Sequence, residues 1–230
     1  MALPKLNTPT YELKLISLDS PIQFRPYLVK EEKILMIASE TGDEKSIIRA
    51  LTQIVKSCTF DKVDIESLPV FDIEYLFLNI RGKSVGEIVK LNVTCPDDKK
   101  TTVSKEININ DVKVQKNENH NDIININDTI KIVMKYPTLK DVTNLDTKKT
   151  EELFKVIPKC IKSVYEGEKI IEDFTDEEIN DFVNNLNSVQ FKSIQDFFET
   201  MPRLKHDIEV DNPVTKTKST VTLEGVQSFF

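Results

Sequence analysis

LPVFDIEYLFLNIRGKSVGEIVKL, residues 68–91, is the most apolar run of the chain, and its reading decides where the core lies. Val70, Phe71, Ile73, Tyr75, Leu76, Phe77, Leu78 and Ile80 leave almost no polar side between 70 and 80. A helix there must be buried nearly all round. Arg81-Gly82-Lys83-Ser84 reads as its end, because cations complement the C-terminal dipole and Gly82 can adopt a left-handed cap. Glu87 to Thr94 then alternates as a strand does.

The elements on either side follow from turn and capping chemistry. Thr10–Ile16 and Pro21–Phe24 read as an N-terminal hairpin, and Val29–Ala38 as a helix. Thr41-Gly42-Asp43-Glu44 is a capping box opening a second helix, with Ile47, Ile48, Leu51, Ile54, Val55 and Cys58 on one face. Glu87–Cys95 and Thr101–Ile109 form a hairpin across a proline-containing turn. Residues 110–128, rich in Asn and Asp, read as a loop with one short strand. Thr129–Tyr136 is a strand ended by Pro137. Thr150–Tyr165 reads as a helix kinked at Pro158. A short strand or turn over Glu168–Phe174 precedes a helix capped at Thr175 and another at Ser188, which turns Phe191, Ile194, Phe197 and Phe198 inward. Lys205–Val210 and Ser219–Leu223 make the last hairpin, echoing the earlier one: VTCPDDKKTTVSKEI at 93–107 resembles VDNPVTKTKSTVTLE at 210–224. A weak internal duplication and two unrelated hairpins with common turn chemistry account for this equally well.

The expected architecture is therefore α+β, with helices and antiparallel hairpins segregated and a weakly duplicated two-lobe arrangement. We expect an extended arm at 1–9, an N-terminal lobe at 10–115 organised around the 68–91 element, and a C-terminal lobe at 116–230.

Composition excludes several functions. The formal net charge of −7 lacks the basic face that sequence-independent nucleic-acid binding requires. The opening MALPKLNTPTYELKL lacks the apolar core of a signal peptide, so none is expected, and no run of about 18 uncharged apolar residues predicts a membrane span. Cys58, Cys95 and Cys160 are widely spaced, which predicts free thiols in a reducing compartment. Gly82-Lys83-Ser84 matches the end of a phosphate-binding loop, but the required earlier glycine is Phe77. His120 and His206 have no partner at a recognisable spacing. No enzyme, cofactor, metal or small-molecule substrate is expected. Asp72 and Glu74 sit among apolar residues and cannot share one helix face, so each is expected to pair with Arg81, Lys83 or another subunit.

Four segments, MALPKLNTPTYEL, RPYLVKEEKILMIA, LPVFDIEYLFLNIRGKSVGE and LEGVQSFF, resemble the baseplate hub protein family of T4-like contractile-tailed bacteriophages. The resemblance implies a non-catalytic role in building the hub of the tail baseplate, either as a resident subunit or as a transient chaperone for a hub or tape-measure protein. It implies other hub or tail proteins as partners, in the host cytoplasm during assembly and in the virion tail. It also implies paired cysteines in the hairpin before the final phenylalanines. Val210–Ser219 has none, which argues against a metal-stabilised knuckle. The candidate partner-binding residues are Leu3 and Leu6 of the arm, Asp72, Glu74, Arg81 and Lys83 of the central element, and Phe229 and Phe230. Phe229 is expected to fold onto the helix carrying Phe191, Ile194 and Phe198, or alternatively to anchor a partner, with Phe230 the more exposed contact.

Overall fold

A computed structural model describes residues 6–41, 44–143 and 154–229. Along the chain the elements are β1 (Tyr11–Leu13), β2 (Ile22–Phe24), α1 (Val29–Thr41), α2 (Glu44–Cys58), α3 (Val70–Val85), β3 (Ile88–Thr94), β4 (Thr102–Asn108) and β5 (Lys113–Gln115). They continue as β6 (Ile123–Asn125), β7 (Ile130–Met134), α4 (Leu139–Val142), β8 (Ile161–Glu166), β9 (Lys169–Ile171), α5 (Asp176–Asn184), α6 (Ser188–Thr200), β10 (Arg203–Asp211) and β11 (Lys218–Glu224). The fold is α+β, with helices beside small antiparallel sheets. It forms two compact units, residues 1–115 with 203–230, and residues 116–202.

The first unit is built on α3. Leu76, Phe77, Leu78 and Ile80 are each no more than 1 % exposed, the all-round burial that the sequence pattern requires. The helix runs one turn past its expected end. Gly82 lies inside it and is buried, packed against the Ile109 side chain. The cap is Gly86 instead, whose φ of 112° suits glycine and whose N–H donates to the Gly82 carbonyl. Asp72 is fully buried and accepts the N–H groups of Ile16 (3.1 Å) and Ser17 (2.9 Å), tying the loop between β1 and β2 to the first turn of α3.

The last hairpin also belongs to this unit, a correction to the expected 116–230 lobe. β10 pairs with β5 through Arg203↔Gln115, Leu204↔Val114 and Lys205↔Lys113, so the C-terminal strands form a three-stranded sheet with β5 of the first unit. After β11 the chain reverses at Gly225 (φ 73°), and a 3-10 turn over Val226–Phe229 packs on α3. Glu74 accepts the Val226 N–H at 3.2 Å. Phe229 is fully buried here, in the unit of α3 and not in that of the helix carrying Phe191, Ile194 and Phe198. Phe230 lies outside the described residues, as do Leu3 and the middle of the expected capping box at Gly42-Asp43.

The two similar hairpins, β3–β4 and β10–β11, close with closely matching turns. Cys95 N–H donates to the Thr101 carbonyl and Lys99 N–H to the Cys95 carbonyl, while Asn212 N–H donates to Thr217 and Lys216 N–H to Asn212. Lys99 and Lys216 both take a left-handed conformation, at φ 55° and 64°. The tips also meet: Asn212 Nδ2 donates to both Asp97 carboxylate oxygens at 3.0 and 3.1 Å, and the Thr215 hydroxyl donates to the same carboxylate. These bonds hold the Asp97 carboxyl below its ordinary value.

The second unit is a four-stranded antiparallel sheet, ordered β6-β7-β8-β9, covered by α5 and α6. Ile124, Ile132, Met134, Ile161, Ile194 and Phe197 lie at its centre. The expected kinked helix at 150–165 is corrected: residues 150–153 lie outside the described residues, Pro158–Cys160 is a 3-10 turn, and Ile161–Glu166 is strand β8. Pro158 lacks the N–H that a continuing helix needs, and Ile161 and Ser163 alternate inward against β7. The Asn-rich segment 110–128 holds two short strands, β5 and β6, rather than one.

Because Phe229 fills a fully enclosed site on α3, replacing it with alanine is expected to cost about 3–5 kcal/mol. Urea denaturation followed by circular dichroism measures this, and an unchanged midpoint would show that the ring is not part of the core.

Candidate interaction surface

α1 is fixed at its first turn by a buried polar cluster. The Arg25 guanidinium donates to Glu31 Oε1 and to Ser57 Oγ, both at 2.9 Å, and to the Pro26 carbonyl at 2.9 Å. Ser57 in turn donates to Glu31 Oε1, and the second carboxylate oxygen accepts the Leu28 N–H at 2.8 Å. The Tyr27 N–H reaches Ser84 Oγ near the end of α3. Arg25 and Glu31 are 9 % and 2 % exposed, so this ion pair is an interior one supported by further hydrogen bonds on both partners. Burial pushes the Glu31 carboxyl up, but the bonds from Arg25, Leu28 and Ser57, with the guanidinium charge, outweigh it and hold the group at about 2. The neighbouring Cys58 thiol is pushed up to about 11 by burial and remains uncharged.

That anchoring fixes which face of α1 meets solvent. Of the residues from 29 to 41, Glu31 and Ala38 are buried, and Ile34 and Leu35 are half-buried. Val29 (66 %), Met36 (60 %) and Ile37 (64 %) point outward, with Leu28 beside them at 41 %. Val29 and Met36 stand seven residues apart, two turns along one side of a helix. Exposed Lys30, Glu32, Lys33 and Glu40 border them. An apolar centre with a charged border is the composition of a protein–protein contact surface. The sequence carries a signal for it. Ile34-Leu35-Met36-Ile37-Ala38 is an unbroken apolar run, and five consecutive helical residues cannot all face one side.

The residues singled out in the sequence distribute differently. Leu6 is 92 % exposed, in a stretch from 6 to 10 without helix or strand. Asp72 has no surface to present, since its carboxylate serves Ile16 and Ser17 rather than a cation or a second subunit. Glu74 is half-buried, with its carboxyl pushed up by burial and bonded to Val226. Lys83 pairs with Glu87 and lies 5.2 Å from the centre of the Tyr11 ring, and Arg81 is half-buried and engaged by neighbours. Phe229 is interior. Among the described residues no cluster of three or more His, Cys, Asp or Glu side chains could hold a metal, and no helix is long and apolar enough to cross a membrane. All three cysteines are buried free thiols.

Residues 8–230 match the family model described as "T4 bacteriophage base plate protein". Comparison with curated proteins and with solved structures gave no match.

The Arg25–Glu31–Ser57 cluster makes stability depend on acid. Glu31 titrates lower in the folded chain than its ordinary 4.5. Its contribution is thus complete above about pH 4.5 and is lost as the pH falls toward 2. The shift corresponds to about 3 kcal/mol. Glu31→Gln is expected to lower stability at neutral pH by an amount of this order and to flatten the pH dependence between 4.5 and 2. Urea midpoints measured across that range for both proteins test it.

Proposed function

Because the chain belongs to the T4 bacteriophage base plate protein family, we propose that it is a non-catalytic subunit of the base plate hub that acts through protein–protein contacts. The observation that carries this reading is the outward apolar face of α1, Val29, Met36 and Ile37, held rigid by a buried ion pair at its first turn. A large apolar face on a helix that its own fold has already fixed in place suits permanent burial in an assembly. Its partners are other hub or tail proteins. The exposed Leu6 supplies a second contact.

Persistence in the particle tests residence in the hub. Quantitative mass spectrometry of tail precursors and of mature particles should find the chain at a fixed copy number in both. Its presence in precursors alone would make it an assembly chaperone for a hub or tape-measure protein, and its absence from both would overturn the reading. Ile37→Asp tests the surface. A substitution at so exposed a position should change stability by no more than about 0.5 kcal/mol, while base plates assembled with the variant fall in yield. Normal assembly with this variant would exclude the α1 face.

A further inference from the structure

The second unit has an unoccupied strand position. β6 is an edge strand, paired to β7 as Ile123↔Val133, Ile124↔Ile132 and Asn125↔Lys131. Met134 N–H donates to the Asp122 carbonyl and Ile126 N–H to the Ile130 carbonyl. In an antiparallel ladder this register turns the main chain of 122, 124 and 126 toward β7, and that of 123 and 125 outward. The Ile123 N–H is satisfied by Asn121 Oδ1 at 3.0 Å. No described residue bonds the Ile123 carbonyl or either main-chain group of Asn125.

Facing this edge is α6. Ser193, Asp196, Phe197 and Thr200 share one side of the helix and, with residues from Asn119 to Asn125, line a largely polar groove of about 290 Å³. Helix and strand are tied together at both ends. Near one end Gln190 Nε2 donates to the Ile126 carbonyl at 3.0 Å. At the other, His120 Nδ1 lies 2.9 Å from Thr200 Oγ1. The Thr200 hydroxyl donates to the Asp196 carbonyl, so the histidine is the donor in that bond. The His120 ring also stacks on Tyr136 and leans on Phe197, with centroids 5.6 and 5.0 Å away. Between these ties the groove stays open, with an unpaired strand edge along one wall and a helix along the other. Such a site accepts an extended peptide as an added strand, whose main chain pairs with the edge while alternate side chains enter the groove.

We propose that the occupant is the N-terminal arm of a second copy of this chain, a proposal that deepens the reading of the arm as a docking segment. The edge requires two hydrogen-bonding residues, opposite Ile123 and Asn125, with a side chain between them on the Ile124 side. Pro4-Lys5-Leu6-Asn7-Thr8-Pro9 supplies that pattern. In an antiparallel register Asn7 would lie opposite Ile123 and position 5 opposite Asn125; neither is a proline, so each has an N–H to offer, and the prolines fall outside the paired positions. Leu6, 92 % exposed in its own unit, then stands opposite Ile124 and enters the groove beside Phe197. Paired in this way, the edge strand is capped against unspecific association.

Sedimentation velocity on the purified full-length chain tests the exchange without any other base plate protein, so its failure leaves the hub reading untouched. We expect the mass to rise above the 26.4 kDa monomer with concentration. Leu6→Asp, and separately Asn125→Pro, should each weaken association at least tenfold, whereas Ile37→Asp on α1 should not. Asn7→Cys combined with Ile123→Cys should give a disulfide-linked dimer under oxidation. A chain that remains monomeric at all concentrations overturns the proposal. Association that persists in Leu6→Asp, or that Ile37→Asp abolishes, overturns it equally. Leu6→Asp alters an exposed residue and keeps the test valid even if the proline variant fails to fold.

Discussion

The first unit depends on the burial of α3 on all sides. A helix with no solvent face needs surroundings that cover it completely, and no single neighbour can do so. The chain therefore brings material from both ends of its sequence. The loop after β1 arrives through Ile16 and Ser17, bonded to Asp72. Ile109 packs against the gap left by Gly82. The last residues close the remaining side through Val226, bonded to Glu74, and through Phe229. The two carboxylates near the start of α3 thus act as acceptors for main-chain N–H groups brought from both ends of the sequence.

The same requirement explains why strands remote in sequence lie together. Once β10 adds to β5 and β11 leads the terminus back to α3, the β10–β11 hairpin is held beside β3–β4. Their matching turns then meet tip to tip, with Asp97 as the common acceptor for Asn212 and Thr215. Polar side chains make this junction. The cysteine of the pair, Cys95, is buried beneath it as a free thiol.

Each unit combines a fixed scaffold with an unfilled surface. In the first, the interior ion pair of Arg25 and Glu31 orients α1 so that Ala38 faces inward and Met36 and Ile37 face out. In the second, the ties from Gln190 and His120 hold α6 at a distance from β6, which leaves the strand edge accessible. Surfaces held ready in this way lose little conformational freedom when a partner arrives, which favours association.

The sequence by itself determined the α+β class, the central helix, the two long hairpins and the helix capped at Thr175; the next helix was also legible, although its cap is Asn187 and not the expected Ser188. In each case a local pattern was sufficient: unbroken apolarity over 70–80, alternation in Ile88–Thr94, and a polar cap three residues before its acceptor. Local pattern failed where two structures fit the same spacing. Residues 153–164 satisfy a helical stripe, yet Pro158 and the need of β7 for a neighbour make Ile161–Glu166 a strand. Gly82 looked like a helix end because glycine is a common cap, yet the helix continues to Gly86, whose φ of 112° marks the actual end. The roles of Asp72, Glu74 and Phe229 were likewise decided only by tertiary structure. A buried carboxylate and a partner-binding one have the same one-letter code, and the difference lies in which distant main-chain N–H groups the fold brings to them.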